Sequence, residues 1–187
     1  VYGEPVHLPC DEDHPIQPIC PYGVTKHTLE HYLFFYRQLY GLRYGVVRYA
    51  NVYGPRQDPN GEAGVVAIFA KKMIRKQPVM INGDGSQERD FVYVSDCARA
   101  NLMLAESDAE GIFNLGCGLG VSINQIFEGI KAQTGYQLSA QYGPAKPGET
   151  YKIYLDASKA AQVLGWVPQY DLESGLRETV AFFKNSN

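Results

Sequence analysis

The sequence predicts an α/β fold, and three observations carry that reading. A helical run from Pro21 to about Tyr40 is apolar around most of its circumference. The segment Arg43–Ala50 after it is apolar on both faces, as strands buried in a parallel sheet are. A polar segment bearing glycine and proline then leaves the carboxyl end of that strand. Helix followed by buried strand is the second half of a βαβ unit, and open α/β sheets bind ligands beyond the carboxyl ends of their strands. With 187 residues, 45% hydrophobic content and a formal net charge of −3, the chain suffices for one domain or slightly more.

Val1-Tyr2-Gly3-Glu4-Pro5 reads as a strand end entering a loop, which suggests that an element precedes it. Residues 4–21 are polar and proline-rich and read as a surface loop. The helix from Pro21 must be buried on several sides, against a sheet and against a partner subunit, and Gly41 ends it. After the strand, Asn51–Arg56 reads as a loop, a polar segment runs to Gly64, and Val65–Lys76 is an amphipathic helix. Pro78–Asn82 is a short strand, Gly83-Asp84-Gly85 a turn, and Arg89–Val94 a strand, with Asp96 as N-cap of the next helix. Ile112–Leu115 is a brief strand, and Gly116–Gly120 a tight connection to a helix that Ser122 caps and Gly135 stops. Residues 138–156 are strand and loop around Pro144–Glu149. Ala157–Leu164 and Leu172–Asn185 are terminal helices, with Trp166 in the core.

Composition narrows the function. Basic residues are scattered and the net charge is negative, which argues against nucleic acid. No run of ~18 apolar residues and no signal-like N-terminus is present, so no membrane role is expected and a cytoplasmic setting is the default. Cys10, Cys20, Cys97 and Cys117 form no Cys-x-x-Cys pair and have no histidine at zinc spacing, so they read as reduced bystanders. His27 and His31 share a helix face but lack the glutamate and third ligand of a zinc helix, so no metal is expected. Tyrosine is abundant, with 14 copies, and such rings stack on and hydrogen-bond to sugars and nucleotides.

The chemistry centres on Pro21-Tyr22-Gly23-Val24-Thr25-Lys26. Residues at i and i+4 share a helix face, so Lys26 can stabilise a Tyr22 phenolate, and Pro21 suits the first helical position. A phenol titrates near ~10, so acid/base work near pH 7 requires roughly 4 kcal/mol of charge stabilisation. One lysine rarely supplies all of that, which implies a second cation. The spacing alone also fits a plain helix start with a solvated lysine. It recurs at Tyr142 and Lys146, where two prolines forbid a helix.

Val1-Tyr2-Gly3-Glu4-Pro5, Pro21 to Lys26, and Arg48-Tyr49-Ala50-Asn51-Val52-Tyr53-Gly54-Pro55-Arg56 stand in order along the chain. They are followed by Gly83-Asp84-Gly85 with Arg89-Asp90-Phe91-Val92-Tyr93-Val94, then Asn114-Leu115-Gly116-Cys117-Gly118, then Lys146-Pro147-Gly148-Glu149. Together these motifs resemble the extended short-chain dehydrogenase/reductases, and within them the nucleotide-sugar epimerases of the UDP-glucose 4-epimerase type. The resemblance covers essentially every residue. It implies that residues 1–50 end a Rossmann-type, NAD-binding parallel-sheet domain to which about 91–118 return, and that 51–187 form mainly a smaller α/β substrate domain. It also implies that the family's glycine-rich NAD turn and the Ser or Thr of its catalytic triad lie upstream of Val1. The G-x-G-x-G at 116–120 is not that fingerprint, so the chain by itself is expected neither to bind NAD nor to turn over, and to associate through the Tyr22–Tyr40 helix and an open strand edge.

The implied reaction is epimerisation at C4 of a UDP-hexose, UDP-glucose or UDP-galactose. Tyr22 takes the proton of the 4-hydroxyl while C4 is oxidised by NAD, and the hexose turns before C4 is reduced from its opposite face. Lys26 holds the nicotinamide ribose, and the oxidised nicotinamide is the second cation. By motif position, Tyr49 and Val52 flank the nicotinamide, Asn51, Arg89 and Lys146 meet the diphosphate, Glu149 meets the uridine ribose, and Ile153 lies beside the 2-position of the hexose. Lys146 stands where the family usually carries arginine, and an ammonium lacks the forked grip of a guanidinium. The apolar circumference of the Tyr22–Tyr40 helix further implies a homodimer formed through it. A nucleotide-sugar 4,6-dehydratase or decarboxylase, and a non-catalytic remnant that only binds or assembles, stand as alternatives.

Overall fold

A computed structural model of the chain describes residues 1–60, 64–146 and 148–186. The end of the polar segment, 61–63, and Pro147 of the Lys-Pro-Gly-Glu motif lie outside the described residues. The first helix, α1, spans Pro21–Tyr40. Cys20 precedes it in extended conformation, and Pro21 enters without losing a hydrogen bond. Gly41 ends it at φ 67° with its N–H on Arg37 O, a left-handed conformation open to glycine at little cost.

Strand β1 (Gly45–Tyr49) runs parallel to β6 (Gly111–Leu115), in register from Gly45 opposite Gly111 to Tyr49 opposite Leu115. At Ala50 the chain changes neighbour. The Ala50 N–H still reaches Leu115 O (2.9 Å), whereas the Asn51 N–H reaches Asp90 O (2.8 Å). Asn51–Tyr53, expected as loop, is therefore strand β2, parallel to β5 (Phe91–Tyr93).

The single strand expected over Arg89–Val94 is likewise two. β4 (Glu88–Arg89) lies between β7 (Val121–Ser122, antiparallel) and β9 (Lys152–Ile153, parallel), and β5 follows after Asp90. Strands β3 (Met80–Asn82) and β8 (Gln141–Gly143) form a further parallel pair.

The remaining helices are α2 (Val65–Ile74), α3 (Val94–Glu106), α4 (Ile123–Thr134), α5 (Ser158–Leu164) and α6 (Leu172–Asn185). Ser122 and Gln125 close a reciprocal capping box on α4, and Gly135 stops that helix at φ 69°. Asp96 is not the N-cap of α3, contrary to expectation. Tyr93 holds that position, and the buried Asp96 carboxylate turns away to accept the Gln169 and Tyr170 N–H groups and to pair with Arg99. A carboxylate one turn inside the helix finds more donors in the distant loop than at the helix start.

One core gathers Phe69, Met73, Ile126, Phe127, Ile130, Leu176 and Val180 from α2, α4 and α6 against β3 and β5. A second packs Phe113 and Leu115 of β6 with Cys97 and Ala100 of α3, Ala160 and the fully buried Trp166. No described helix is long and apolar enough to cross a membrane.

In the single chain, helix α1 is largely uncovered. Only Gly23 is buried, while Leu29, Tyr32, Phe34, Phe35, Tyr36, Leu39 and Tyr40 are all exposed. Within the described residues, its buried attachment is a polar one, made through Glu30.

Candidate active site

The first turn of α1 presents Tyr22 outward, 64% exposed, with the Lys26 ammonium 5.1 Å from the centre of its ring. Local bonds hold the turn: Thr25 Oγ1 donates to Tyr22 O and Thr28 Oγ1 to Val24 O, both at 2.8 Å. The helix start is seated against the N-terminal segment. A Cβ on Gly23 would lie 2.9 Å from Pro18 Cβ and 3.6 Å from the Val1 nitrogen.

Sequence reasoning missed the polar cluster that ties α1 to β1. Arg48, its side chain 5% exposed, grips Glu30 with two hydrogen bonds, Nε to Oε1 at 2.8 Å and Nη2 to Oε2 at 2.6 Å. Its Nη1 donates to the Tyr2 hydroxyl at 2.8 Å, which donates in turn to Asn114 Oδ1 at 2.6 Å. Asn114 closes the cluster, its side-chain amide reaching Cys10 O and its N–H reaching Glu12 Oε1. Burial alone would raise the Glu30 carboxyl, but the bonds and charge of Arg48, helped by His27, hold it below its ordinary range. Burial likewise works against the Arg48 guanidinium, and Glu30 with Tyr2 more than reverse it. The available signal was an arginine in an otherwise apolar strand, which requires a buried partner.

A second group forms around β4 and β9, where Arg89 stands opposite Ile153. The Arg89 guanidinium lies 3.9 Å from Glu149 and donates to Glu88 O and Tyr151 O. Burial keeps it below its ordinary value while Glu149 and Glu4 pull it upward. Lys146 also lies 3.9 Å from Glu149, so one carboxylate sits within reach of both cations. Thr150 Oγ1 donates to Gly3 O at 3.4 Å. The segment Val1–Glu4 thus touches the start of α1 at one end and approaches the Arg89 group at the other.

Asp90 fixes β2, β4 and β9 together. Its carboxylate, 1% exposed, accepts the N–H groups of Cys117 (2.8 Å), Gly118 (3.1 Å) and Leu155 (3.1 Å). Its own N–H reaches Ile153 O, and its carbonyl accepts from Asn51. Burial leaves its carboxyl above the ordinary range despite the three amides. A Cβ on Gly116 would fall 2.2 Å from Asp90 Oδ2, which explains a glycine at the head of that turn.

The structure therefore brings Tyr22 to Lys26, and Arg89 to Glu149, Lys146 and Ile153, with Asn51 bonded next to Arg89 through Asp90. Tyr49 is engaged elsewhere. Its hydroxyl donates to Asn101 Oδ1 at 2.7 Å, and burial raises its pKa above the usual phenol value. Val52 packs on the second core, and its carbonyl accepts from Gln57. No described contact joins Tyr49 or Val52 to Tyr22 or Lys26. Among the described residues no cluster of three or more metal-ligating side chains forms. A hollow of about 260 Å³ opens beside Gly116–Gly118, Leu155–Ser158 and Trp166–Pro168. None of the predicted residues lines it, so donor chemistry rather than concavity marks the site.

Known proteins resemble this chain along its whole length. Residues 1–116 match the NAD dependent epimerase/dehydratase family. A putative UDP-glucose 4-epimerase of Methanocaldococcus jannaschii is 50% identical over 187 residues, which is 100% of this chain and 61% of that protein. The crystal structure of UDP-glucose 4-epimerase with UDP-glucose from Thermotoga maritima matches 99% of this chain and 60% of its own, with TM-score 0.96 and 49% identity. UDP-N-acetylglucosamine 4-epimerase from Methanobrevibacter ruminantium, in complex with UDP-N-acetylmuramic acid, matches 100% of this chain and 61% of its own, with TM-score 0.95 and 36% identity. The chain thus spans about 60% of the length of these relatives. By these matches, the chain belongs to the NAD dependent epimerase/dehydratase family.

Proposed function

We propose that the protein epimerises a UDP-hexose at C4, interconverting UDP-glucose and UDP-galactose with NAD as cofactor. The observation that carries this reading is the outward-facing Tyr22 with the Lys26 ammonium over its ring. Among the described residues no carboxylate lies within ion-pair distance of Lys26, so its three donors remain for a ligand. A lysine with free donors beside a phenol suits the diol of a ribose, and in this respect the residues fit the nicotinamide end of NAD. When bound, NAD supplies the oxidising capacity for a secondary alcohol. Tyr22 Oη accepts the proton of the sugar's 4-hydroxyl and later returns it, and Lys26 stabilises the phenolate between those steps. Arg89 and Lys146 bind the diphosphate with Asn51 at its side, Glu149 binds the uridine ribose, and Ile153 borders the 2-position of the hexose.

The exposed apolar length of α1 supports a homodimer formed through that helix, since contiguous apolar patches of this kind are rarely left to solvent. Sedimentation of the protein and of a Phe34→Glu, Phe35→Glu variant tests it: dimer for the first and monomer for the second. A monomeric parent refutes it.

For the activity, the chain extended at its amino end to the length of its relatives is incubated with NAD and UDP-glucose, and the configuration at C4 is followed by proton NMR; the 187-residue chain alone is expected to show no turnover. Accumulation of UDP-galactose supports the reading. A 4-keto-6-deoxy sugar would replace it with dehydratase chemistry, and release of carbon dioxide with a pentose from UDP-glucuronate in a parallel incubation would replace it with decarboxylase chemistry.

A further inference from the structure

Tyr22, Lys26 and Glu30 stand at i, i+4 and i+8 on α1 and share one face. Lys26 therefore has two neighbours one turn away, the phenol on one side and a carboxylate on the other. A lysine and a glutamate at this spacing attract each other, and a Lys26–Glu30 pair would draw the ammonium away from the ring. The structure shows the opposite arrangement: Lys26 lies over Tyr22, and both Glu30 oxygens are taken by the Arg48 fork, with His27 Nδ1 3.2 Å from Oε2.

We infer that Arg48 is a positioning residue which keeps Lys26 on Tyr22 by occupying the carboxylate that competes for it. This rests on the reading of Tyr22 and Lys26 as the acid/base pair, but its geometry is independent of turnover. Arg48 is suited to the role because its own place is overdetermined. Tyr2 and the Glu12 carbonyl accept from Nη1, and the Tyr2 ring lies 5.0 Å under the guanidinium. The other titratable or charged groups facing this cluster are the Glu12 carboxylate, the Val1 amino group and the Cys20 thiol. A planar, bidentate cation saturates a carboxylate in a way that a lysine at the same place does not.

The test reads the Lys26–Tyr22 contact directly in the 187-residue chain, by nuclear Overhauser effects from the Tyr22 ring to the Lys26 ε-protons and by their ring-current shift. It is run at about pH 8, above the ordinary histidine range. Arg48→Met should weaken the contact by up to about twofold, as expected when an i, i+4 ion pair becomes available to Lys26. Arg48→Met with Glu30→Gln should restore it. Glu30→Gln alone keeps the side-chain shape and should leave the contact intact or strengthened, so the proposal stays open to refutation even if Arg48→Met fails to fold. Loss of the contact in Glu30→Gln would show that the pair merely seats the helix and would overturn the proposal. So would an unchanged contact in a folded Arg48→Met, or the absence of rescue in the double variant. Turnover of Tyr22→Phe, by contrast, bears on the function and not on this inference.

Discussion

Replacing Asp90 should destabilise the protein more than any exposed substitution, and the size of the effect follows from its partners. Three backbone N–H groups converge on a carboxylate that is 1% exposed. Orphaning a buried donor costs about 1–3 kcal/mol. Because Cys117 and Gly118 are only partly buried, Asp90→Ala should cost roughly 3–6 kcal/mol in total. Asp90→Asn keeps one acceptor oxygen, which serves Gly118 and Leu155, and turns its amide toward the Cys117 N–H, so its cost should be about 2 kcal/mol. The single tryptophan, Trp166, is fully buried and donates to Asp96 O, which makes its fluorescence a direct reporter of unfolding. With a urea slope of about 2 kcal/mol/M, Asp90→Asn should lower the midpoint by about 1 M. A shift below about 0.3 M would show that the three amides find water or other acceptors, and that Asp90 does not hold these strands together.

Other expectations follow from the same geometry. The Glu30 carboxyl is held below its ordinary value of 4.5, so its contribution is complete above about pH 4.5 and is lost as the pH falls through the lower folded value. Protection against hydrogen exchange in the first half of α1, taken relative to the intrinsic rate at each pH, should therefore fall below about pH 4.5, and Glu30→Gln should remove that dependence. Protection unchanged down to about pH 3 would contradict it. Lys146 is 64% exposed and only loosely paired with Glu149, so Lys146→Ala should weaken UDP-sugar binding by about 1.5 kcal/mol, and Lys146→Arg should tighten it. Equal calorimetric affinity in both variants would make Lys146 a bystander. If Ile153 borders the 2-position of the hexose, a bulkier side chain there leaves no room for a 2-N-acetyl group, so Ile153→Tyr should depress turnover of a UDP-N-acetylhexose more than that of UDP-glucose; equal loss on both would remove Ile153 from that position.

What was legible in the sequence was local. Pro21 and Gly41 bound α1, and Ser122 and Gly135 bound α4, because caps act within one turn of the residue that makes them. The apolar run through Val46 and Val47 marked a parallel strand for the same reason. Features set by distant partners were not legible. The break between β4 and β5 exists because the Asp90 side chain turns to amides at 117, 118 and 155, and Asn51–Tyr53 is a strand only because Phe91–Tyr93 lies beside it. Asp96 reads as a cap until the loop at 169–170 is placed against it. The Tyr22–Lys26 pair could be picked out from a motif, whereas the Arg48–Glu30 clamp links residues 18 positions apart and left only the trace of a charge in a greasy strand.

In the proposed reaction, Tyr22 Oη moves the proton of the 4-hydroxyl. Tyr22→Phe removes that one oxygen from an exposed side chain at the start of α1 and leaves Lys26, Arg89, Lys146 and Glu149 in place. General acid–base catalysis contributes about 10²–10⁴-fold. The turnover of UDP-glucose by Tyr22→Phe in the extended chain should therefore fall by at least about a hundredfold, with the calorimetric affinity for the UDP-sugar unchanged. Turnover within a few-fold of the parent would contradict the account and require another residue as the base.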